Sequence, residues 1–250
     1  MLIAKMPNGT PEVYLAVQGE GKTTGKPLIF VRCSGCNLSC SFCDTSYTWN
    51  WEGTKHKHNF SKKSPIKDSQ MDISVQELAR IIKERVAPNR GVVFTGGEPA
   101  LQQEHLEILM QILRQDDKKW WFEFETNGSV PLKEMFIAKL DMINCSPKLA
   151  SSGNGKNRDN KEAMEKIARQ AKKGKAIFKF VVTTDKDLKE IEMLVKKYEI
   201  PKEAIFLMPQ GIKTEEIIEG SKKVSELVMQ KGWNLSSRLQ VILYNTKRAV

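Results

Sequence analysis

The chain has 250 residues, 40% of them hydrophobic and 28% charged, with five cysteines and a net charge of +10. This composition excludes a disulfide-stapled miniprotein and a disordered polyelectrolyte, and it leaves room for a buried core. The positive charge leaves a nucleic acid, an anionic substrate or plain solubility open. No apolar run reaches the roughly 18 residues of a membrane span. The opening MLIAKMP lacks the apolar stretch of a signal peptide, so a cytoplasmic, reducing setting is expected.

Taken in order, short apolar runs alternate with amphipathic stretches. Residues 27–32 (PLIFVR) read as a strand leading into the cysteines. Residues 55–67 (KHKHNFSKKSPIK) hold no acid and little apolar content, so a solvated basic loop is expected, as part of an insertion over about 52–72. Within it, His56 and His58 lack rigid neighbours and are not expected to bind a metal. Ser74 and Glu77 fit a capping box. Leu78, Ile81, Ile82 and Val86 follow at helical spacing, and Pro88 ends the run.

Further strands are predicted at 91–95 (GVVFT), 121–125 (WFEFE), 141–145, 176–183, 204–208 and 239–244. Helices are predicted around 108–113, over 159–173, from a second capping box at Thr184 and Asp187 to Tyr198, and over 214–230. Strands alternating with helices imply right-handed βαβ units in a mostly parallel sheet of roughly six or seven strands. That suits an α/β fold, either an incomplete TIM-type barrel with outer helices or an open sheet. In both, the segments after the strand ends build the site.

Four of the cysteines, Cys33, Cys36, Cys40 and Cys43, crowd together, which points to metal rather than disulfides. The link between the two halves of this group is too short for an unstrained tetrahedral zinc site. A cubane cluster is larger, and closely spaced thiolates can reach its corners. The triplet Cys36-x3-Cys40-x2-Cys43 would leave one iron open, with Cys33 and Cys145 as non-ligands and Cys145 a small core residue. Thr95-Gly96-Gly97-Glu98-Pro99 follows a predicted strand. Its glycines let backbone approach a ligand, and its carboxylate can accept from an ammonium group. Trp49, Trp51, Trp120 and Trp121 read as packing.

The cysteine triplet with Phe42, and the Gly-Gly-Glu-Pro loop, resemble those of the radical S-adenosylmethionine enzymes. Within that superfamily, nearly the whole chain resembles the 7-carboxy-7-deazaguanine synthases. The likeness rests on Val17-Gln18-Gly19-Glu20-Gly21, Phe30-Val31-Arg32, Cys43-Asp44-Thr45 with Tyr47-Thr48-Trp49, Glu125-Thr126-Asn127-Gly128, Ser146-Pro147-Lys148 and the ending from Arg238 to Val250. It implies one radical S-adenosylmethionine domain over 1–250, built as an incomplete barrel. The implied reaction converts 6-carboxy-5,6,7,8-tetrahydropterin to 7-carboxy-7-deazaguanine with release of ammonia, in queuosine and 7-deazapurine biosynthesis.

The resemblance also implies site residues. Cys36, Cys40 and Cys43 would hold a 4Fe-4S cluster, and Thr45 would bind Mg2+, a hard cation that takes few protein ligands. Val17, Gln18, Gly19, Arg32, Thr95 and Val250 would contact the substrate, with the Arg32 fork suited to its carboxylate. Phe42, Cys43, Asp44, Gly97, Glu98, Ser146, Pro147, Lys148, Met208, Pro209, Gln210 and Gly211 would contact S-adenosylmethionine. A homodimer and a reductant such as flavodoxin or ferredoxin are implied, with no stable nucleic-acid partner and no membrane. Gln240, Asn245 and the long segment from Lys55 to Met71 depart from the family pattern, which leaves the substrate pocket open to difference. The alternatives are a glycyl-radical activase, an RNA-modifying enzyme, and a zinc-bound nucleic-acid module.

Overall fold

Two short strands, β1 (Leu2–Ala4) and β2 (Val13–Val17), pair antiparallel with β3 (Pro27–Cys33), the strand that delivers the cysteines. The computed structural model describes residues 1–55, 58–59, 61–85, 90–117 and 119–250. After the cysteines come α1 (Ile66–Ser69) and β4 (Gln70–Asp72), and β4 pairs antiparallel with β1. A βα rhythm then sets in with α2 (Val75–Glu84), β5 (Gly91–Gly96), α3 (Gln103–Asp116), β6 (Trp121–Thr126), α4 (Glu134–Lys139) and β7 (Met142–Cys145). It continues through α5 (Lys161–Ala171), β8 (Ala176–Val182), α6 (Asp185–Tyr198), β9 (Ile205–Pro209) and α7 (Thr214–Lys231), and closes with β10 (Asn234–Leu235) and α8 (Leu239–Tyr244).

Among the described residues the sheet has ten strands in the order β10-β9-β8-β7-β6-β5-β3-β1-β4, with β2 on β3. From β3 to β10 the seven strands are parallel, and each successive crossover carries the chain one strand further. The end strands β10 and β4 are not neighbours, so the barrel is incomplete. The α/β class and the partial barrel expected from the sequence are the fold observed. Among the described residues, no helix is long and apolar enough to cross a membrane.

Side-chain alternation divides the sheet into two unlike faces. Phe122 and Phe124 of β6 and Phe178 and Phe180 of β8 are fully buried, and Phe124 packs edge-on against Phe136 of α4 with centroids 5.0 Å apart. That face takes the helices. The intervening positions, Glu123, Glu125, Asn144 and Lys179, point to the concave side and bond one another there. Helix starts follow their sequence signals. Ser74 Oγ accepts the Glu77 N–H at 3.1 Å, and Asp187 Oδ2 accepts the N–H groups of Thr183 and Thr184, both at 2.8 Å.

Three expectations are corrected. Residues 239–244 form α8, not a strand, and the sheet edge is taken instead by β10. A six-residue apolar run has no period that separates a strand from a buried helical turn. The decision comes from outside it, where the Leu239 N–H bonds to Gly19 O at 3.0 Å and draws the segment across the mouth of the barrel. Second, β1, β2 and β4 add an antiparallel flank with no sequence forecast, since each is short and its partners are remote. Third, the basic stretch is not a loop to its end. Residues 66–72 form α1 and β4, while Asn59 N–H and His58 bond to the cysteine loop at Ser41 O and Cys43 O. His56, Val86 and Pro88 lie outside the described residues.

Candidate active site

A cavity of about 490 Å³ opens at the carboxyl ends of the parallel strands. Arg32 from β3, Thr95 from β5, Glu125 and Thr126 from β6, Lys179 from β8 and Met208 from β9 all reach it. Side chains from strands this far apart in the sheet order can meet only because the sheet curls.

Cys36, Cys40 and Cys43 line one part of this cavity and form no disulfide. Each sulfur faces an N–H donor. Cys36 Sγ accepts from Leu38 N at 3.4 Å, Cys40 Sγ from Asn154 Nδ2 at 3.1 Å, and Cys43 Sγ from Trp49 Nε1 at 3.4 Å. Trp49 therefore does more than pack. Among the described residues, no three His, Cys, Asp or Glu side chains close around a point as a single ion requires. Three thiols that share a cavity, each met by a donor, offer ligands of the type a multi-iron cluster takes. Burial, with the Glu98 charge behind it, pushes the Cys36 thiol up to about 12, and burial also raises Cys43. A metal that binds these sulfurs takes them as thiolates, so binding would release protons. Cys33 and Cys145 are fully buried in β3 and β7 and do not line the cavity.

The loop after β5 works differently from its sequence forecast. A Cβ on Gly96 would sit 2.1 Å from Cys33 O, and one on Gly97 would sit 2.0 Å from Gly35 O. Gly97 N–H bonds to Cys33 O at 3.0 Å and Glu98 N–H to Gly35 O at 2.8 Å. The close approach that demands glycine is to the backbone of the cysteine loop. Glu98 is fully buried and does not line the cavity. Its Oε1 accepts from Ala100 N at 2.9 Å and Thr126 Oγ1 at 2.8 Å, and its Oε2 from Asn127 N at 2.6 Å. Its carboxylate ties the loop after β5 to the loop after β6, so in this structure it braces the wall of the cavity from behind. Pro147 also stands back from the cavity, while Ser146 and Lys148 line it.

The other sequence-expected residues converge. Val17, Gln18, Gly19, Arg32, Phe42, Asp44, Thr45, Thr95, Gly97, Met208, Pro209, Gln210, Gly211 and Val250 all line the cavity. Thr45 precedes the single turn 46–48 without capping it, so its hydroxyl faces Cys43 Sγ at 3.6 Å. Arg32 is held from behind, with Nε on Glu12 Oε1 and one Nη on the Tyr14 hydroxyl, both at 2.8 Å. A Cβ on Gly19 would displace the Gln240 side chain and lie 2.9 Å from the Gln240 backbone N, so the segment sits close against α8.

Sequence reasoning missed the charged interior. Lys179 Nζ sits 2.6 Å from Glu20 Oε2 and 2.9 Å from Glu125 Oε2. Glu20 Oε1 also takes Arg238 Nε at 3.1 Å and Gln240 Nε2 at 2.7 Å, and Arg238 reaches Asp44 as well. Burial alone would raise Glu20, but Lys179 and Arg238 together hold it well below the usual carboxylate range. Glu123 is fully buried, and its Oε1 accepts from Gln18 Nε2 and Asn144 Nδ2, both at 2.6 Å. Burial, aided by the neighbouring Glu125 charge, pushes Glu123 upward. The signal was present in part, since single charges inside apolar strands (WFEFE, AIFKFVV) mark a polar concave face as readily as a solvent face.

The model of the Radical SAM superfamily matches residues 30–152. The 7-carboxy-7-deazaguanine synthase of Pyrobaculum aerophilum is 30% identical over 239 residues, covering 95% of this chain and 95% of its own. This chain belongs to the 7-carboxy-7-deazaguanine synthase family. The family's Halobacterium salinarum member is 32% identical, with 94% and 89% covered. The crystal structure of QueE from Escherichia coli superposes with a TM-score of 0.65 at 25% identity, over 94% of this chain and 93% of that one. The superfamily match ends before β8, whereas the synthase-family likeness covers 95% of the chain and so includes Lys179.

Proposed function

We propose that this chain converts 6-carboxy-5,6,7,8-tetrahydropterin to 7-carboxy-7-deazaguanine and ammonia, as a radical S-adenosylmethionine enzyme of queuosine and 7-deazapurine biosynthesis. The observation that supports this best is a single cavity holding three donor-bonded thiols at one part and the braced Arg32 guanidinium at another. Product and substrate differ by one ammonia, so no oxidant is consumed overall. When bound, the 4Fe-4S cluster on Cys36, Cys40 and Cys43 together with S-adenosylmethionine supplies the radical that removes a hydrogen atom from the substrate.

The chain's own residues bind, orient and exclude water. Phe42, Cys43, Asp44, Gly97, Ser146, Lys148 and residues 208–211 form the wall for S-adenosylmethionine, with Glu98 and Pro147 supporting it from behind. Lys148 is aimed by its bonds to Ser146 O at 2.8 Å and Ser146 Oγ at 2.9 Å. Arg32 offers its fork to the pterin carboxylate. Val17, Gln18, Gly19, Thr95 and Val250 border the same space. Thr45 would contribute a hydroxyl oxygen to Mg2+, which would supply positive charge for the substrate carboxylate. Glu125, Glu20 and Lys179 present fixed charges to the heterocycle, in a pocket that Gln240 and Val241 of α8 help to line.

The chain acts as one domain over 1–250, in the cytoplasm and as a homodimer. A flavodoxin or ferredoxin supplies the electron, and the +10 charge suits an acidic donor. The deciding experiment is an anaerobic assay of iron-reconstituted protein with the carboxylated tetrahydropterin, S-adenosylmethionine, Mg2+ and dithionite. Expected are 7-carboxy-7-deazaguanine and ammonia in equal amounts. Formation of 5′-deoxyadenosine with no deazaguanine would refute the substrate and leave the superfamily chemistry standing.

A further inference from the structure

Two of the donors on the cysteine sulfurs are side chains from outside the Cys36–Cys43 loop. Asn154 lies 114 positions beyond Cys40, and Trp49 lies six beyond Cys43. Asn154 is not placed by chance. Its Oδ1 accepts the Ser39 N–H at 2.9 Å, which fixes the sense of the amide and turns Nδ2 toward Cys40 Sγ at 3.1 Å. Ser152 steadies it, accepting from the same Nδ2 at 3.0 Å and taking the Ser41 N–H on its carbonyl at 3.0 Å. The loop after β7 is thereby laced to the cysteine loop on both sides of Cys40. Trp49 is buried, and its indole N–H can only donate, so the bond to Cys43 Sγ has one possible direction.

We propose that Asn154 and Trp49 are positioning residues that set the reduction potential of the cluster, each by donating an N–H bond to one of its thiolates. The inference rests on the cluster reading given above. Reduction adds one electron to the cluster and its thiolates. A donor held against a thiolate stabilises that added charge, more so where the surroundings are poor in water. Both residues therefore raise the potential and bring the cluster within reach of a biological reductant. Cys36 relies on the backbone N–H of Leu38, which no side-chain change removes, so it serves as the built-in reference. Because the two side chains act on different sulfurs, their effects add.

The test uses the full chain, reconstituted anaerobically as wild type, W49F, N154A, N154D and the W49F/N154A double variant. Iron and sulfide content is measured first, then the midpoint potential by EPR-monitored titration. Trp49→Phe keeps the ring and loses the N–H. Asn154→Asp keeps the acceptor for Ser39, and hence the lacing, while it replaces the donor by a carboxylate. Each single variant is expected to load a full cluster and titrate below the wild type, with the double variant below both N154A and W49F. Sulfur K-edge absorption should report increased Fe–S covalency in the same variants. Wild-type midpoints in fully loaded W49F and N154D would overturn the proposal. A wild-type chain that takes up no iron would instead overturn the cluster reading, so the two failures stay separate.

Discussion

The cysteine loop draws its three thiols from residues 36–43, whereas the charged interior draws Glu20, Glu125, Lys179 and Arg238 from elements up to 218 positions apart. The thiols meet neutral N–H donors, and the folded chain loses little if one sulfur is removed. The interior charges hold one another in place, so removing one strands the rest in a buried site. One region is specialised by local spacing and binds an external group. The other exists only once the barrel has curled, and its members are each other's ligands. Function can therefore be abolished at the first without unfolding, while damage at the second threatens the fold itself.

The sharpest way to break this contrast is Cys40→Ala. Activity should fall to background and cluster absorbance should be lost, while the unfolding midpoint of the metal-free protein stays close to wild type. A large loss of metal-free stability would show that the loop is as much scaffold as the interior is.

Lys179→Met should cost about 3–5 kcal/mol in denaturant unfolding, because Glu20 and Glu125 are left buried without their shared cation. Adding Glu125→Gln should recover part of that loss. A cost below about 1 kcal/mol, the level of a solvated pair, would mean that the interior charges are screened by water.

Two of the interior carboxylates, Glu20 and Glu123, should also separate with pH. The folded-state pKa of Glu20 is depressed, so its contribution is present above the unfolded value of about 4.5 and is lost as pH falls through the folded value. That of Glu123 is raised, so its ionisation costs stability as pH climbs from 4.5 through the folded value. Glu123→Gln should therefore gain on the wild type as pH rises above 4.5, and the gap should level off beyond the folded value. Urea midpoints across pH 4–8 check this, and a constant gap would refute the assignment.

The smallest effect is a control outside both regions. Ser74→Ala removes the cap on α2 and should cost about 1 kcal/mol with activity unchanged. If it matched Lys179→Met in a thermal melt, the interior would have no special standing.

Much of this was legible beforehand. The βα rhythm was readable because buried parallel strands are continuous apolar runs and their helices carry one apolar stripe. The antiparallel flank of β1, β2 and β4 was not, for strands of three to five residues leave almost no period to read. Residues 239–244 misled for the related reason that apolar content says nothing about direction of travel. Glu98 misled differently. A carboxylate beside two glycines suggested a ligand contact, yet in the fold it turns inward and accepts from Ala100 N–H of its own loop and from the Thr126 hydroxyl and Asn127 N–H at the end of β6.

Consecutive residues were enough to mark the thiol triplet, the helix caps and the class of fold, since thiol spacing, capping and apolar periodicity act over a few positions of chain. Only the folded barrel decided which carboxylates face the cavity, where α8 lies, and that the amide of Asn154 ends on Cys40. Each of those depends on a partner 29, 220 or 114 positions away, and such distances are bridged by the curl of the sheet and not by the local chain.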